Sequence, residues 1–505
     1  MRCRLTMLTM ATMVVAASLI LHAVGAQESR LKSQPQGGDR RGTYIDPKRT
    51  VLSYKDPKTY IHNMTVIAHV PEGGGGGDMM TIGDRRYLIG GRLVVDITDP
   101  KKPVIVNSKA PRGELAYNQA LKKWILMRVD SCCSREDEDL LKGGPSPELS
   151  YKGRLGVTFF DMTDPTNPVE ISHYDTGRPG QGSHSDGNYY DGGRYAYIAA
   201  GVPGTRGQMP YRYTGRILVI LDLADIKQPK EVGRWWVPGQ MRSEQKEYES
   251  WPTAATEHEK WSPGTPRHTY NTLHGPCFVP KRVEDGGNRA YCAWSALGVV
   301  ILDLTDVKKP RQVSGLSISP PFDGGIPVHT TYPMLERGLL FMNGEVTTAG
   351  EDCNEGVLMP WVVDIRAEKN PLTIATFPIP KPPAEAPYSD FCFKGRRFGP
   401  HDAQNFKAPG EARQDIMAYS WFNAGYRLYD VSNPFQPREV AYFIPPMGDE
   451  RGSVERGLIE WDRKLIHVRT DTGLYILSSP ALGEPVLGPM KPKHWTQEGV
   501  NKGAP

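Results

Sequence analysis

The stretch "GVVILDLTDVKKP", residues 298–310, contains an aliphatic run that ends at Asp303 and is followed by a turn that ends at Pro310. Short apolar runs bounded by turn residues favour buried strands. Similar phrases occur along the chain: "RLVVDITDPKKP" (92–103), "GVTFFDMTDPTNP" (156–168), "ILVILDLADIKQP" (217–229), "PWVVDIRAEKNP" (360–371), "YRLYDVSNPFQP" (426–437) and a degenerate "GLYILSSPALGEP" (473–485). The chain is therefore built from repeats of one unit.

The repeat predicts a closed ring of small sheets. Each unit has room for four short strands, since a second apolar strand such as "RYAYIAAG" (194–201) precedes the repeated phrase. Such units cannot bury both faces alone, so radial stacking is expected. We predict an all-β fold, a seven-bladed β-propeller with four-stranded blades and long loops on one face. Alignment of the copies, at spacings of 47 to 81 residues, places in register Asp96, Asp161, Asp222, Asp303, Asp364, Asp430 and Leu477.

The repeated phrase resembles the LVIVD repeat of bacterial secreted β-propellers, and the resemblance covers residues 59–490. It implies a propeller and export, but no particular reaction, because propellers carry unrelated activities. Ring closure is expected to use "YIHNMTVIAHV", residues 60–70, as the outer strand of the last blade.

The N-terminus has the features of a cleavable secretory signal. Arg2 and Arg4 precede an apolar run that ends in small residues, which predicts cleavage after Ala26. The mature chain is then expected in the periplasm or outside the cell, without a membrane anchor. The predicted organisation is a signal peptide at 1–26, a flexible or wrapping segment at 27–58, the propeller at 59–490 and a tail at 491–505.

The charge balance points to a small molecule rather than a polyanion as partner. The chain has 61 basic and 57 acidic residues, a formal net charge of +4, and removal of Arg2 and Arg4 lowers this to 59 against 57, or +2. The sequence contains no basic cluster of the kind that predicts a nucleic-acid or membrane partner. The sequence leaves the oligomeric state open.

Six cysteines remain after removal of the signal, and an even number in an exported protein predicts disulfides. Cys277 and Cys292 flank what reads as one hairpin and are the favoured pair, followed by Cys353 with Cys392. The adjacent Cys132 and Cys133 are difficult to bridge to each other. A zinc site is the alternative for these two, although no CxxC spacing supports it.

Four of the 12 histidines begin the segments expected to form the innermost strands of consecutive blades, the third to the sixth. Equivalent positions of these strands meet at one mouth of the central channel. Because imidazole is a common ligand of transition metals, the four predict a metal site; the alternative is that each bonds a carbonyl or carboxylate in a turn. They are His184 in "GSHSDGNYY", His274 in "TLHGPCFVP", His329 in "PVHTTYPML" and His401 in "GPHDAQNFK".

The other three blades offer Asp78, Asn118 and Glu455 at loosely matching places. Imidazoles on one side only leave open coordination positions, as a catalytic metal needs. The arrangement, though no sequence motif, is similar to the four-histidine iron centre of carotenoid-cleaving dioxygenases, which are also seven-bladed propellers. That resemblance implies carboxylates that orient the histidines. The candidates are Glu345, Asp402, Asp186 and Glu455. An ordinary solvated loop carboxylate is the alternative for each of them.

His268 precedes the fourth inner strand by a turn, so it is predicted at the channel mouth. There it fits proton transfer near a metal-bound water or a structural role in the loop. The candidate catalytic residues are therefore His268, Glu345 and Asp402. The long connection at residues 235–271, with Trp251 and Trp261, is expected over the same mouth; the alternative is a surface excursion with its own small core.

The predicted cofactor is a divalent transition metal, with iron favoured and copper, zinc or manganese as alternatives. A metal-dependent oxidoreductase that acts on a small organic molecule is favoured over a metal-dependent hydrolase or lyase. The remaining alternative, a non-enzymatic secreted binding module for a protein or glycan, predicts no bound metal. No nucleophile elbow, phosphate loop, HExxH helix or dinucleotide fingerprint occurs in a suitable context.

Overall fold

The computed structural model of the protein describes residues 56–488 except 73–76, 133–150, 179, 203–214, 245, 248–271, 318–325, 347–357, 396, 405–406 and 448–453. Over these residues the strands form seven antiparallel sheets. The predicted all-β, seven-bladed propeller is therefore confirmed. No helix in the described ranges is long and apolar enough to cross a membrane. The predicted signal peptide and most of the 27–58 segment lie outside the described residues, and so does the tail.

The first three blades are formed by consecutive strands. Blade 1 contains β3 (Asp78–Ile82), β4 (Arg85–Gly90), β5 (Leu93–Asp96) and β6 (Val104–Asn107). Blade 2 contains β7 (Gly113–Asn118), β8 (Lys123–Asp130), β9 (Gly156–Asp161) and β10 (Val169–Asp175). In blade 3 the inner position is divided between β11 (Gly182–Ser183) and β12 (Tyr189–Tyr190), followed by β13 (Tyr195–Gly201), β14 (Ile217–Asp222) and β15 (Lys230–Trp235).

Blades 4 and 5 repeat the same order. Blade 4 contains β16 (Cys277–Phe278), β17 (Arg289–Ala293), β18 (Val299–Asp303) and β19 (Arg311–Leu316). Blade 5 contains β20 (Ile326–Met334), β21 (Leu339–Glu345), β22 (Pro360–Asp364) and β23 (Leu372–Thr376). Short 3-10 helices in the described chain are Ser185–Gly187, Arg242–Glu244, Val283–Asp285, Ser295–Leu297, Leu335–Arg337, Phe391–Lys394 and Pro480–Leu482.

The last two blades include the N-terminal strands β1 (Tyr60–His62) and β2 (Thr65–Val70). Blade 6 contains β24 (Ile416–Ser420), β25 (Tyr426–Asp430), β26 (Arg438–Ile444) and β1 at its outer edge, and its innermost position is held by a bridge from Ala403 to Tyr419. Blade 7 contains β27 (Val454–Glu460), β28 (Leu465–Thr470), β29 (Gly473–Ser478) and β2.

Ring closure differs in part from the prediction. Residues 65–70 pair with β29 of the last blade, as expected, but Tyr60–His62 pairs with β26 of the sixth blade. Asn63 separates the two strands with φ of 51°, and its side-chain amide donates to the carbonyl of Val440 at 2.9 Å. Because asparagine tolerates the left-handed region, the chain changes blade at this residue and ties blades 6 and 7 together.

The repeated aspartate forms the turn that follows its strand. Oδ1 of Asp161 accepts a hydrogen bond from the backbone N of Thr163 at 2.9 Å, and Asp303 accepts from Thr305 at 2.8 Å. The same carboxylate of Asp161 binds Lys123 of the neighbouring strand at 2.5 Å. Asx turns of this kind reverse the chain without a glycine, which explains why the aspartate recurs in register.

The interiors of the blades are apolar and aromatic. Trp294 and Trp421, which occupy matching positions nine residues before Asp303 and Asp430, are both fully buried. Trp294 packs edge to face against Trp235 with ring centroids 5.0 Å apart, and its indole N–H donates to Gln240 at 2.8 Å. Their expected role in the core follows from these contacts.

The favoured disulfide is present. Cys277 and Cys292 are bonded to each other and face each other across β16 and β17. Cys132 and Cys392 each form a disulfide as well, so Cys132 is not a zinc ligand. Cys353 and Cys133 lie outside the described residues, so the pairing of Cys353 with Cys392 stays a prediction.

Candidate metal centre

The inner segments of blades 3 to 6 bring the four predicted histidines side by side. His184 directly follows β11, His274 precedes β16, His329 lies within β20 and His401 precedes the bridge at Ala403. The centroids of consecutive imidazole rings are 4.3, 5.0 and 4.7 Å apart. The convergence expected from the repeat register is therefore observed.

A glycine permits this close approach. A Cβ atom built on Gly275, the residue after His274, would lie 1.6 Å from the carbonyl oxygen of His329. Any other residue would push the inner segments of blades 4 and 5 apart. The dipeptide His274–Gly275 therefore supplies one imidazole and also allows the backbone of His329 to approach it closely.

Glu345, the last residue of β21, places its carboxylate among the imidazoles. Its Oε2 lies 3.4 Å from Nε2 of His274 and 3.6 Å from Nε2 of His329, and its Oε1 lies 3.7 Å from Nε2 of His401. Nε2 of His184 is 3.3 Å from Nε2 of His274. Donors about 2.0–2.1 Å from a tetrahedral metal are separated by roughly 3.3–3.4 Å, so these spacings suit one ion.

The cluster is deeply buried on one side and more accessible on the other. His329 is fully buried, and Glu345, His274 and His401 are nearly so. The His184 side chain is 26% exposed and that of Asp186 is 19% exposed. The more exposed of these side chains are therefore the two from blade 3.

Asp402 lies behind two of the rings. Its carboxylate is 3.7 Å from Nδ1 of His329 and 3.5 Å from Nδ1 of His401. Nδ1 of His329 also lies 2.7 Å from the Thr330 hydroxyl. A carboxylate behind an imidazole fixes ring orientation when Nε2 binds a metal. Asp402 therefore occupies the position of an orienting residue, whereas Glu345 faces the ligand atoms themselves.

Two arginines bind the carboxylates of the cluster, and a third contacts His274. Arg456 of β27 binds Asp186 and also contacts Asp402 through its Nε at 2.7 Å, so it joins blades 3, 6 and 7 across the axis. Arg397 binds Oε1 of Glu345 at 2.7 Å. Arg216 is the third guanidinium. With neutral imidazoles, three carboxylates face three guanidinium groups.

Arg216 makes a contact that bears on His274. Its Nη2 donates to Nδ1 of His274 at 3.0 Å. A guanidinium only donates, so Nδ1 is the acceptor and the proton of a neutral His274 lies on Nε2. Metal binding at Nε2 would place a proton on Nδ1 instead, and Arg216 would have to move.

Protonation follows burial and the facing charges. Burial lowers the pKa of His274 to about 4 and lowers the pKa values of His184 and His329 as well. Burial opposes protonation of His401, but Asp402 and Glu345 raise its pKa. Burial alone would raise the pKa of Glu345, yet the surrounding histidines hold it well below its ordinary value. The cluster therefore presents an ionised carboxylate among imidazoles: burial favours the neutral form of His184, His274 and His329, whereas the facing carboxylates favour protonation of His401.

The donor set fits a transition metal. Nε2 of the fully buried His329 has no hydrogen-bond partner among the described residues, and a buried nitrogen without a partner is costly. Three overlapping groups in the described chain have ligand atoms within 4.8 Å of one another: His184 with Asp186 and His274, Asp186 with His329 and His401, and His274 with His329 and Glu345.

A lysine crosses the channel below the histidines. Nζ of Lys407, from blade 6, lies 2.7 Å from Glu114 of blade 2, 3.6 Å from Asp78 of blade 1 and 3.3 Å from the carbonyl of Tyr190 in blade 3. These contacts connect opposite sides of the ring. Asp78 therefore contacts Lys407 rather than the histidine cluster.

Several predicted residues lie elsewhere. Asn118 ends β7 and donates to the Tyr190 hydroxyl at 3.0 Å, so it is not the counterpart of the histidines, and Glu114 lies nearer that position. His268 and residues 248–271 of the long connection lie outside the described residues, as does the side chain of Glu455. The proposed catalytic role of His268 stays a prediction.

The sequence interpretation missed Arg216, Arg397 and Arg456. Arg456 follows Glu455, and the pairing of β27 with β28 is irregular between Val454 and Arg456. An irregularity changes which side chains face inward, and no pattern in the repeat predicts its place. Arg397 belongs to an insertion before His401, and Arg216 directly precedes β14.

No protein-family model matches the sequence, and no curated protein matches it. Among solved structures, the X-ray structure of a hypothetical selenium-binding protein from Sulfolobus tokodaii is 13% identical with a TM-score of 0.45, covering 83% of this chain and 86% of that chain. The Cps50 (Swd1) β-propeller domain from Myceliophteria thermophila is 12% identical with a TM-score of 0.41, covering 83% and 99%. At this similarity neither structure indicates a function, and the propeller assignment rests on the seven sheets of the described chain.

Proposed function

We propose that this protein is an exported metalloenzyme that binds a divalent transition metal in the propeller channel and performs oxidative chemistry on a small organic substrate. The observation that carries the proposal is the convergence of three imidazoles on the Glu345 carboxylate at 3.4 to 3.7 Å, with Nε2 of His184 only 3.3 Å from Nε2 of His274. Export is supported by the N-terminal sequence, the LVIVD-like repeat and the Cys277–Cys292 disulfide.

The deepest part of the cluster supplies the strongest ligand set. His329, His401 and Glu345 are all buried or nearly so. Two histidines with one carboxylate are ligands typical of non-haem iron. His184 lies at the accessible edge, and His274 would join after release by Arg216. Iron is therefore favoured, with copper, zinc or manganese as alternatives.

The protein residues have distinct roles in this proposal. A bound divalent ion with open positions supplies Lewis acidity and, for iron or copper, electron transfer. Asp402 orients His329 and His401 from behind, and Arg456 holds Asp402 in place through the contact at 2.7 Å. Lys407 joins the inner segment of blade 6 to those of blades 1 and 2 through Asp78 and Glu114.

Elemental analysis of the untagged mature protein tests the proposal. We expect close to one transition metal per chain after iron, copper, zinc and manganese are offered separately to the metal-free protein. His329→Ala should lose the metal, whereas His173→Ala, on the outer strand of blade 2, should keep it. Thermal unfolding of both variants would show that the propeller persists.

Two outcomes would contradict the proposal. If none of the four metals binds stoichiometrically to the wild-type protein, the metalloenzyme hypothesis is wrong and a binding module becomes the better interpretation. If a metal binds but His329→Ala retains it, the site lies elsewhere. With the metal established, oxygen consumption in the presence of candidate substrates distinguishes oxidative from hydrolytic chemistry.

A further inference from the structure

Arg397 is held rigidly at the edge of the histidine cluster. Its guanidinium carbon lies 3.8 Å from the centroid of the Phe422 ring, and that ring lies 4.8 Å from the ring of His401. Nη1 donates to Oε1 of Glu345 at 2.7 Å and to the carbonyl of Val346 at 3.0 Å. Stacking on an aromatic face and two hydrogen bonds fix the plane of a guanidinium.

The rest of this guanidinium remains accessible. Within the described part of the chain, Nε and Nη2 of Arg397 make no hydrogen bond, and the side chain is 26% exposed. The N–H groups of these atoms therefore meet solvent beside the Glu345 carboxylate. A planar guanidinium with accessible N–H groups matches the two oxygens of a carboxylate.

The charge balance of the site also favours an anion. Arg216, Arg397 and Arg456 balance the charges of Asp186, Glu345 and Asp402, and the buried imidazoles add none when neutral. A divalent metal would therefore leave the site with an excess of about two positive charges. An anionic substrate would compensate part of this excess in a region of low dielectric.

We propose that Arg397 binds the carboxylate of a small organic acid and that this acid is the substrate class of the channel site. The inference rests on the proposed metalloenzyme function for its catalytic meaning. Oε1 of Glu345 lies 2.7 Å from Nη1 of Arg397 and 3.7 Å from Nε2 of His401. The accessible Nε and Nη2 edge of the guanidinium points away from Nη1 and Glu345, so the bound acid needs a chain of several carbon atoms to reach the ligand nitrogens. Arg456 contributes charge, while its Nε and Nη2 are engaged by Asp402 and Asp186.

Titration calorimetry with straight-chain carboxylates from acetate to hexanoate, and with the corresponding neutral amides, tests the assignment. We expect at least one carboxylate to bind tenfold or more tightly than its amide. Arg397→Gln should weaken that binding at least tenfold, and Arg397→Lys should weaken it severalfold because an ammonium lacks the planar fork. Arg366→Gln removes the same charge at a 72% exposed side chain of blade 5 and should change nothing.

Each titration is performed on metal-free and on metal-loaded protein, and the metal content of every variant is measured. Arg397-dependent carboxylate binding by a protein that takes up no metal supports the inference while the proposed function fails. Stoichiometric metal with unchanged carboxylate affinity in Arg397→Gln overturns the inference alone. Tighter binding of inorganic phosphate than of every carboxylate would overturn the assignment to carboxylic acids.

Discussion

Glu345 and Glu460 are both buried glutamates beside histidine and arginine, but their carboxylates are bound differently. Glu460 accepts hydrogen bonds from Arg463 at 2.6 and 3.0 Å, lies 2.9 Å from Nε2 of His467 and also binds Arg86. Glu345 accepts one arginine bond at 2.7 Å, and its three histidine nitrogens stand 3.4 to 3.7 Å away.

The difference separates a structural ion cluster from a ligand site. Around Glu460 both arginines and Nε2 of His467 bind the carboxylate directly, and the cluster joins blade 7 to β4 of blade 1. Around Glu345 the three histidine nitrogens lie 3.4 to 3.7 Å away, farther than the donors that bind Glu460. A histidine beside a glutamate is therefore no sign of a metal site by itself; the decisive observation is whether the donors already satisfy one another.

The largest expected effect is on folding, at Glu460. Glu460→Ala would leave Arg86 and Arg463 buried without their carboxylate, and breaking a buried ion pair costs about 3–5 kcal/mol. Urea unfolding of the metal-free protein should show this loss in the free energy of unfolding, without loss of metal binding by the remaining folded protein.

Glu345→Ala is the matched variant. Its arginine partner, Arg397, is 26% exposed and becomes hydrated when the carboxylate is removed. The loss of stability should therefore be less than half of that in Glu460→Ala, while metal binding should be abolished. Equal destabilisation by the two substitutions would erase the distinction between the clusters.

Removal of the orienting carboxylate should weaken metal binding without changing the ligand set. Asp402→Asn keeps the size of the side chain but weakens its hold on the rings of His329 and His401. Loss of such a partner lowers metal affinity about 10- to 100-fold. Competition with a chelator measures the affinity, and Asp415→Asn, at a 45% exposed surface pair, is the control. Unchanged affinity would place Asp402 outside the site.

Two buried lysines show how the surroundings of a buried charge set the pH dependence of stability. Asp78 and Glu114 raise the pKa of Lys407 although burial opposes this, whereas burial lowers the pKa of Lys394 to about 7. Lys394 donates to the carbonyl of Asn423 at 3.0 Å. Between about pH 7 and its ordinary value near 10, the unfolded chain binds more protons at Lys394, so stability rises with pH.

This contribution should amount to about 2 kcal/mol between pH 7 and 9. Lys394→Met removes this contribution. The free energy of unfolding of the wild type minus that of the variant should therefore increase as the pH rises from 7 to 9. A constant difference between the two proteins would mean that Lys394 keeps the same charge in the folded and unfolded chains.

The sequence was sufficient for the fold because one local device recurs. An aspartate that forms an Asx turn after each apolar strand, as at Asp161 and Asp303, marks every blade but the last. The assignment of Tyr60–His62 to blade 6 was not predictable, because it depends on the left-handed backbone at Asn63 and its contact with Val440.

The candidate site was predictable to the extent that it follows the repeat. His184, His274, His329 and His401 occupy equivalent places on inner segments, and equivalent places converge in a ring. The guanidinium groups do not follow the repeat. Arg456 enters through a strand irregularity and Arg397 through an insertion, so their positions depend on tertiary packing that has no period in the sequence.

The smallest expected effect separates His274 from the other histidines. Because Arg216 donates to Nδ1 of His274 at 3.0 Å, it keeps the proton on Nε2 and opposes metal binding there. Arg216→Gln removes this donor and should tighten metal binding by at most about 10-fold, the lower end of the range for partners behind a metal ligand. Arg85→Gln, at a 57% exposed side chain that begins β4, should leave metal binding unchanged. Unchanged affinity in Arg216→Gln, together with full metal content in His274→Ala, would remove His274 from the ligand set and leave the ion to His329, His401 and Glu345.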